Sequence, residues 1–170
     1  GLLTVAALKT LGINKIIVID KESEKSRAME FGAWEFIGSH GKNGVAGVKD
    51  KIRAAAGDMA DAVFICTDSP MGRNVARRFM KNSGSICEMG FLCGWRRTPT
   101  ARYFEDSMPA GGRFYAARDY ENCMNFLAKA AEMKLPLYKL ITHRYKLEEI
   151  NEAMWTVVRE EGLGIAVFNR

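Results

Sequence analysis

Apolar and polar residues along the first ninety positions predict an alternating series of helices and strands. Residues 2–11 carry apolar side chains at helical spacing, and Gly12 stands where helices commonly end. Residues 15–20 form a nearly continuous run of β-branched residues, which is typical of a parallel strand covered on both faces. The alternation continues with helices at 24–31, 45–56 and 71–81 and strands at 34–37, 61–66 and 84–90. In the helix at 71–81, Ser69 is the expected N-cap.

The second half of the chain is less regular. Residues 91–112 mix aromatic, arginine, proline and glycine residues and predict a long loop. The rest predicts an amphipathic helix at 120–134, a break at Pro136, an extended segment at 137–145, a helix at 147–159 and a strand at 165–168. Strands that alternate with helices of this length form βαβ units, so we expect an α/β fold with a Rossmann-type, doubly wound parallel sheet.

Composition narrows the class of protein. The chain of 170 residues is 48% apolar and 26% charged, with a net charge of +5, all ordinary for a soluble globular protein. It has no apolar run of membrane-spanning length and no signal peptide, so we expect a cytoplasmic protein without membrane contact. Its basic residues are scattered, which does not favour nucleic-acid binding. The four cysteines form no CxxC pair and are interpreted as reduced thiols rather than zinc ligands.

Asp20 is the strongest candidate for a binding residue. It ends the first predicted strand about 20 residues after Gly1, the offset at which a Rossmann fold places an acid on the adenosine ribose. A carboxylate there accepts hydrogen bonds from ribose hydroxyls and repels the 2′-phosphate of NADP, which indicates NAD. The alternative is a solvated strand-end residue, and the nearby Lys21 and Lys25 leave NADP use open.

Five further positions are candidates for cofactor contact at the same predicted sheet edge. Gly1 and Leu2 begin a helix whose amino end is expected to face a pyrophosphate. Thr67 follows one strand and is interpreted as a ribose or nicotinamide contact, or alternatively as part of a turn. Met89 and Gly90 end the next strand, where Gly90 would let the backbone approach a flat ring or would serve only as a turn glycine.

Arg118 precedes the helix at 120–134, and its guanidinium is a candidate partner for pyrophosphate oxygens or a plain surface charge. The two histidines, His40 and His143, have no cysteine or carboxylate at metal-ligand spacing. No nucleophile motif and no Walker loop occurs, so the sequence predicts no catalytic residue and no metal ligand.

Together these segments resemble the medium-chain dehydrogenase/reductase family, and within it the zinc-dependent polyol, alcohol and threonine dehydrogenases. The residues that carry the resemblance are Gly1–Leu3, Ile17–Asp20, Lys25, Phe31–Ala33, Cys66–Thr67, Met89–Gly90, Arg118 and, most specifically, Leu140–Ala153. The family pattern fits poorly at Asp68, where it usually has glycine, and across 38–47 and 91–113.

The resemblance implies a C-terminal portion of a longer enzyme, in which residues 1–135 form a dinucleotide-binding domain that lacks its first strand. Residues 136–170 would form a tail packed on a missing catalytic domain, and any zinc would be bound only in that catalytic domain. The implied activity is hydride transfer between an alcohol or polyol and NAD, by a homo-oligomer that is inactive as this portion alone. The alternatives are a Rossmann-type methyltransferase, which also places an acid on a ribose, and a non-catalytic nucleotide-binding domain.

Overall fold

The computed structural model describes residues 1–39, 44–67, 70–89, 116–117, 119–159 and 164–168. The chain divides into two compact units, Gly1–Met133 and Lys134–Arg170. Among the helices that the structure describes, none combines the length and the apolar character needed to cross a membrane. The predicted loop at 91–112, the predicted cap Ser69 and the poorly fitting Asp68 lie outside the described residues.

The first unit alternates helices and strands, as the sequence predicts. Gly12 and Gly32, which follow the first two helices, have φ angles of +85° and +105°, the left-handed conformation in which helices commonly stop. The helices are α1 (Leu2–Thr10), α2 (Lys25–Glu30), α3 (Gly44–Ala56), α4 (Pro70–Ala76) and α5 (Asp119–Glu132), and the strands are β1 (Ile17–Asp20), β2 (Glu35–Gly38), β3 (Ala60–Ile65) and β4 (Met80–Glu88).

The strands of the first unit form two parallel pairs. β1 runs beside β2, with Asp20 opposite Gly38, and β3 runs beside β4, with Ile65 opposite Glu88. The α/β class with parallel strands is therefore confirmed. Among the described strands, however, the backbone ladders join them two by two rather than in one continuous doubly wound sheet.

A core of buried side chains joins α3 to the β1–β2 pair and to the residues that directly precede β3 and β4. Ile52 of α3 is 2% exposed, and Phe79, which directly precedes β4, is 6% exposed. The cluster consists of Ile37, Val48, Ile52, Met59 and Phe79, with the half-buried Ile17, Ile19, Val45 and Val75 packed against it. This core fixes β1–β2 relative to β3–β4 within the unit.

The second unit combines strands β5 (His143–Lys146) and β6 (Ile165–Phe168) with helix α6 (Ile150–Val158). The two strands are parallel, with His143 opposite Ile165. Thr156 of α6 is 2% exposed, and its hydroxyl donates to the Glu152 carbonyl oxygen at 3.0 Å. That leaves the hydroxyl of Tyr145, 2.8 Å away, as the donor to the Thr156 oxygen, which ties α6 to β5.

Three predicted boundaries are wrong. The helix predicted over 71–81 ends at Ala76, and a 3-10 turn at Arg77–Phe79 leads directly into β4, which begins at Met80 rather than at the predicted residue 84. Pairing with β3 and burial of Phe79 outweigh helical propensity there. The segment predicted as extended over 137–145 begins instead as a 3-10 turn at Leu137–Leu140, closed by a 2.9 Å hydrogen bond from the Lys139 N–H to the Pro136 carbonyl.

Candidate cofactor-binding site

The amino end of α1 lies against the carboxyl end of β3. A Cβ atom built on Gly1 would stand 3.7 Å from the Cβ of Cys66, the residue that follows β3. Thr4, in the first turn of α1, places its hydroxyl 3.5 Å from the Cys66 sulfur. The beginning of the first helix and the end of the third strand therefore meet at one place.

The other end of α1 lies at the opposite edge of the unit. A Cβ atom built on Gly32, shortly before β2 begins, would stand 3.0 Å from the side chain of Lys9. The chain turns at Gly12, and β1 then runs back toward the edge where α1 begins. Asp20, at the end of β1, therefore shares the edge occupied by Gly1 and Cys66. This is the juxtaposition that the sequence predicts for a dinucleotide site.

The Asp20 side chain is exposed, and its backbone is held in place. Its carbonyl oxygen accepts a 2.8 Å hydrogen bond from the Ser39 N–H, which extends the β1–β2 ladder by one step. Its carboxylate Oδ1 accepts a 2.7 Å bond from the Lys21 N–H. A carboxylate has more acceptor positions than this one bond uses, so Asp20 has capacity for the hydroxyls of a sugar.

Lys25 lies just beyond Asp20, at the first residue of α2. Its ammonium is 3.9 Å from the Glu22 carboxylate, and both side chains are largely exposed. The carboxylate of Glu22 also covers Gly38, because a Cβ atom on that glycine would stand 2.6 Å from Glu22 Oε2. Glu22 was not a predicted site residue, and it adds a second negative charge beside Asp20.

The amino end of α1 is suited to an anion. Its N-cap is Gly1, and its first turn contains no acidic residue. The first N–H groups of any helix have no partner within the helix, and they carry the positive end of its dipole. Leu2, the first residue of α1, is half-buried at this position. These N–H groups are donors of the kind that a pyrophosphate needs, and the role of Gly1 and Leu2 in binding it stays a prediction.

The remaining predicted contacts follow β3 and β4. Thr67 is half-buried one residue after Cys66, and Met89 is 59% exposed directly after β4. Gly90 and Arg118 lie outside the described residues. The sequence reasoning placed Cys66 at this edge but missed Thr4, since the contact of Thr4 with Cys66 depends on how α1 packs.

The histidines add no metal centre. His40 lies outside the described residues, and His143 belongs to the second unit, where it bonds to the Thr142 hydroxyl at 2.9 Å and stacks with Tyr145. Within the described ranges, no three or more His, Cys, Asp or Glu side chains come together as a metal site. A cleft of about 480 Å³ lies at the edge of the first unit opposite to the edge that holds Gly1 and Asp20. It is lined by residues from α3 and the start of β4, such as Arg53 and Lys81, and contains none of the predicted site residues.

Comparison with known protein families decides the class. The sequence model of the family described as Zinc-binding dehydrogenase matches residues 1–129. The chain belongs to this family. The match confirms the resemblance drawn from the sequence and does not favour the methyltransferase alternative.

Curated relatives of the chain include a sorbitol dehydrogenase and a D-xylulose reductase. Sorbitol dehydrogenase 1 of Saccharomyces cerevisiae is 28% identical over 158 residues, and D-xylulose reductase of Scheffersomyces stipitis is 26% identical over 161 residues. Each alignment covers 90% of this chain and 43% of the relative. The chain thus spans less than half the length of these relatives.

Solved structures of the family share the fold. An alcohol dehydrogenase from Thermotoga maritima superposes with a TM-score of 0.81 at 19% identity, covering 98% of this chain and 46% of that one. A short chain alcohol dehydrogenase from E. coli, solved in complex with NADH, superposes with a TM-score of 0.70 at 19% identity, covering 98% of this chain and 49% of that one. These matches show that the chain shares the fold of these two proteins.

Proposed function

We propose that this chain is the NAD(H)-binding portion of an oxidoreductase that transfers hydride between an alcohol or polyol and the nicotinamide ring. The observation that carries the proposal is the exposed Asp20 carboxylate on the sheet edge where α1 begins. The carboxylate would accept hydrogen bonds from the adenosine ribose. The cofactor supplies the hydride chemistry when bound, and this portion binds and orients it.

The pyrophosphate is assigned to the amino end of α1, where Gly1 and Leu2 present backbone N–H groups. By the family resemblance, Arg118 would pair with the same phosphates. Thr67, Met89 and Gly90 follow β3 and β4 and would contact the nicotinamide half. The cofactor would therefore extend across the edge from the β1 end to the β3–β4 end.

NAD is preferred over NADP in this proposal. A 2′-phosphate beside Asp20 would meet the negative charges of both Asp20 and Glu22. Of the two nearby cations that would favour the phosphate, Lys21 and Lys25, the ammonium of Lys25 is 3.9 Å from Glu22, so its charge is already partly offset. The electrostatic balance at the ribose position therefore disfavours an additional phosphate.

A further strand is proposed between β1 and β3. In the described structure these strands belong to separate pairs. Phe64 on β3 is 37% exposed and Ala62 is exposed, although both lie in an apolar run typical of a covered strand. The usual Rossmann strand order places the first strand between these two positions, as the second and fourth strands flank it. The prediction of a fold without its first strand is retained here as a proposal.

We propose that the second unit, Lys134–Arg170, packs on a catalytic domain. This is the role that the sequence predicts for a tail at 136–170. Exposed apolar residues at helical spacing form a stripe along α6: Ile150 at 41%, Met154 at 59% and Val158 at 65%. Such a stripe marks a protein–protein contact. The catalytic domain would bind the substrate, a small alcohol or polyol as the names of the relatives suggest, and any zinc. By the same resemblance we propose a homo-oligomer in the cytoplasm.

Titration with NADH and NADPH, followed by the change in their fluorescence, tests the proposal in the longer protein that it implies. Replacement of Asp20 by Asn removes charge-assisted hydrogen bonds worth about 1.5–3 kcal/mol, so NADH affinity should fall about 10- to 100-fold, and NADPH affinity should fall less. The matched control is Asp50→Asn, at an exposed carboxylate on α3. Equal NADH binding by the two variants would remove Asp20 from the site, and no NADH binding by the parent protein would reject the function.

A further inference from the structure

Three sulfur-containing side chains share one face of the β3–β4 pair, at its carboxyl edge. The Cys87 thiol donates to the Met89 sulfur at 3.6 Å. The parallel register places Phe64 opposite Cys87 and Ile65 opposite Glu88. A 2.9 Å bond from the Met89 N–H to the Ile65 carbonyl continues this ladder by one step and brings Met89 opposite Cys66. Because residues two apart on a strand share a face, Cys66, Cys87 and Met89 point to the same side.

The two thiols differ in exposure. Cys66 itself is exposed at the edge, and Cys87 is partly buried behind it. The pair therefore offers one ligand accessible to solvent and one that is shielded.

A direct disulfide does not suit this arrangement. With strands about 4.8 Å apart and a rise of about 3.3 Å per residue, Cα atoms one strand across and two residues along are about 8 Å apart. Disulfides require Cα atoms within about 7 Å. An ion bridging the two sulfurs spans a longer distance than a sulfur–sulfur bond does, and Met89, two residues beyond Cys87 and opposite Cys66, offers a third donor.

We propose that Cys66, Cys87 and Met89 bind one soft monovalent cation of the Cu(I) class. Two thiolates and a thioether are the ligands that select such ions, whereas structural zinc sites require four ligands. Each thiol releases its proton to solvent as the metal–sulfur bond forms, and no oxidation or reduction takes place. The site needs no residue beyond the ends of β3 and β4.

The same site controls cofactor access, an inference that rests on the proposed function. Cys66 is 3.5 Å from the Thr4 hydroxyl and close to Gly1, where the pyrophosphate is assigned. Met89 is also a proposed nicotinamide contact. A cation bound to these sulfurs occupies the same edge of the sheet, so Cu(I) and the dinucleotide exclude each other.

Anaerobic titration with Cu(I) buffered by a chromogenic chelator tests the site, because the chelator outcompetes isolated thiols. We expect one Cu(I) per chain. Cys66→Ser and Cys87→Ser should each lower the affinity by at least about 10-fold, and Met89→Leu should lower it less. The matched control is Cys123→Ser, at an exposed cysteine on α5, which should retain the parent affinity. Circular dichroism checks that each variant is folded.

The sulfur site is overturned if the parent, Cys66→Ser and Cys87→Ser proteins bind Cu(I) with equal affinity. It is also overturned if Cys123→Ser loses as much Cu(I) affinity as Cys66→Ser and Cys87→Ser do. A second titration measures NADH binding with and without one equivalent of Cu(I), and an unchanged NADH affinity overturns the proposed exclusion. A protein that binds NADH but retains no Cu(I) refutes this inference alone. A protein that retains Cu(I) through Cys66 and Cys87 but never binds NADH supports the sulfur site and rejects the proposed function.

Discussion

Replacement of Phe79 by Ala tests the core that aligns the two strand pairs of the first unit. Phe79 is 6% exposed and packs in one cluster with Ile37 of β2 and Ile52 of α3. Truncation of a buried Phe to Ala costs about 3–5 kcal/mol, since transfer free energy is lost and a cavity remains. A domain is stabilised by about 5–15 kcal/mol in total, so this one change removes a large fraction of its stability.

Urea unfolding followed by circular dichroism and tryptophan fluorescence measures the effect. With a denaturant slope of about 2 kcal/mol per molar, a loss of about 4 kcal/mol lowers the midpoint by about 2 M. Arg78→Ala is the matched control, because Arg78 is the exposed neighbour in the same 3-10 turn and should change stability by less than about 0.5 kcal/mol. The proposed role of the cluster would be refuted if the urea midpoints of Phe79→Ala and Arg78→Ala agreed within about 0.3 M, which is roughly the error of such measurements.

Two further predictions concern ion pairing and a buried hydroxyl. The Lys81 ammonium lies 2.8 Å from the Asp61 carboxylate and lowers the pKa of that carboxyl below 3.8, while the pKa of Lys81 itself is raised above 10.5. The contribution of this pair to stability should therefore be lost as pH falls below about 4 or rises beyond 10.5. Asp61→Asn should flatten both limbs of a plot of unfolding midpoint against pH, and an unchanged plot would contradict the pairing. In the second unit, Thr156→Val and Tyr145→Phe should each cost about 1 kcal/mol in urea unfolding. The double variant should cost less than the sum, whereas strict additivity would show that the two hydroxyls do not interact.

The order and type of the elements could be predicted from sequence because the local signals agree. Gly12 and Gly32 end helices with positive φ angles, and the β-branched run before Asp20 forms β1. The helix boundary at Ala76 could not be predicted in this way. Residues 71–81 are compatible with a helix, but burial of Phe79 and pairing of Met80 with Ala60 are tertiary effects that no local pattern records.

The candidate site could be predicted in part. Topology alone places the ends of parallel strands at one edge, which is why the sequence by itself indicates Asp20, Thr67 and Met89 as candidates. The contact between Thr4 and Cys66 depends on how α1 packs, and the sulfur cluster depends on the β3–β4 register. A shift of one residue would turn Cys66 and Cys87 to opposite faces, so such a site becomes visible only when the register is known.

The clearest difference between pattern and structure concerns the coverage of β3. Its apolar run predicts a strand covered on both faces, yet Phe64 is 37% exposed while Ile65, on the other face, is 2% exposed. Burial of a Phe side chain is worth about 1.5–3 kcal/mol, so a sequence that keeps an aromatic residue here gains stability only when something covers it. The proposed strand between β1 and β3, and the elements that would accompany it, account for this residue and for the separation of the two strand pairs. The relatives' greater length agrees with this explanation, since each is more than twice as long as the segment aligned with this chain.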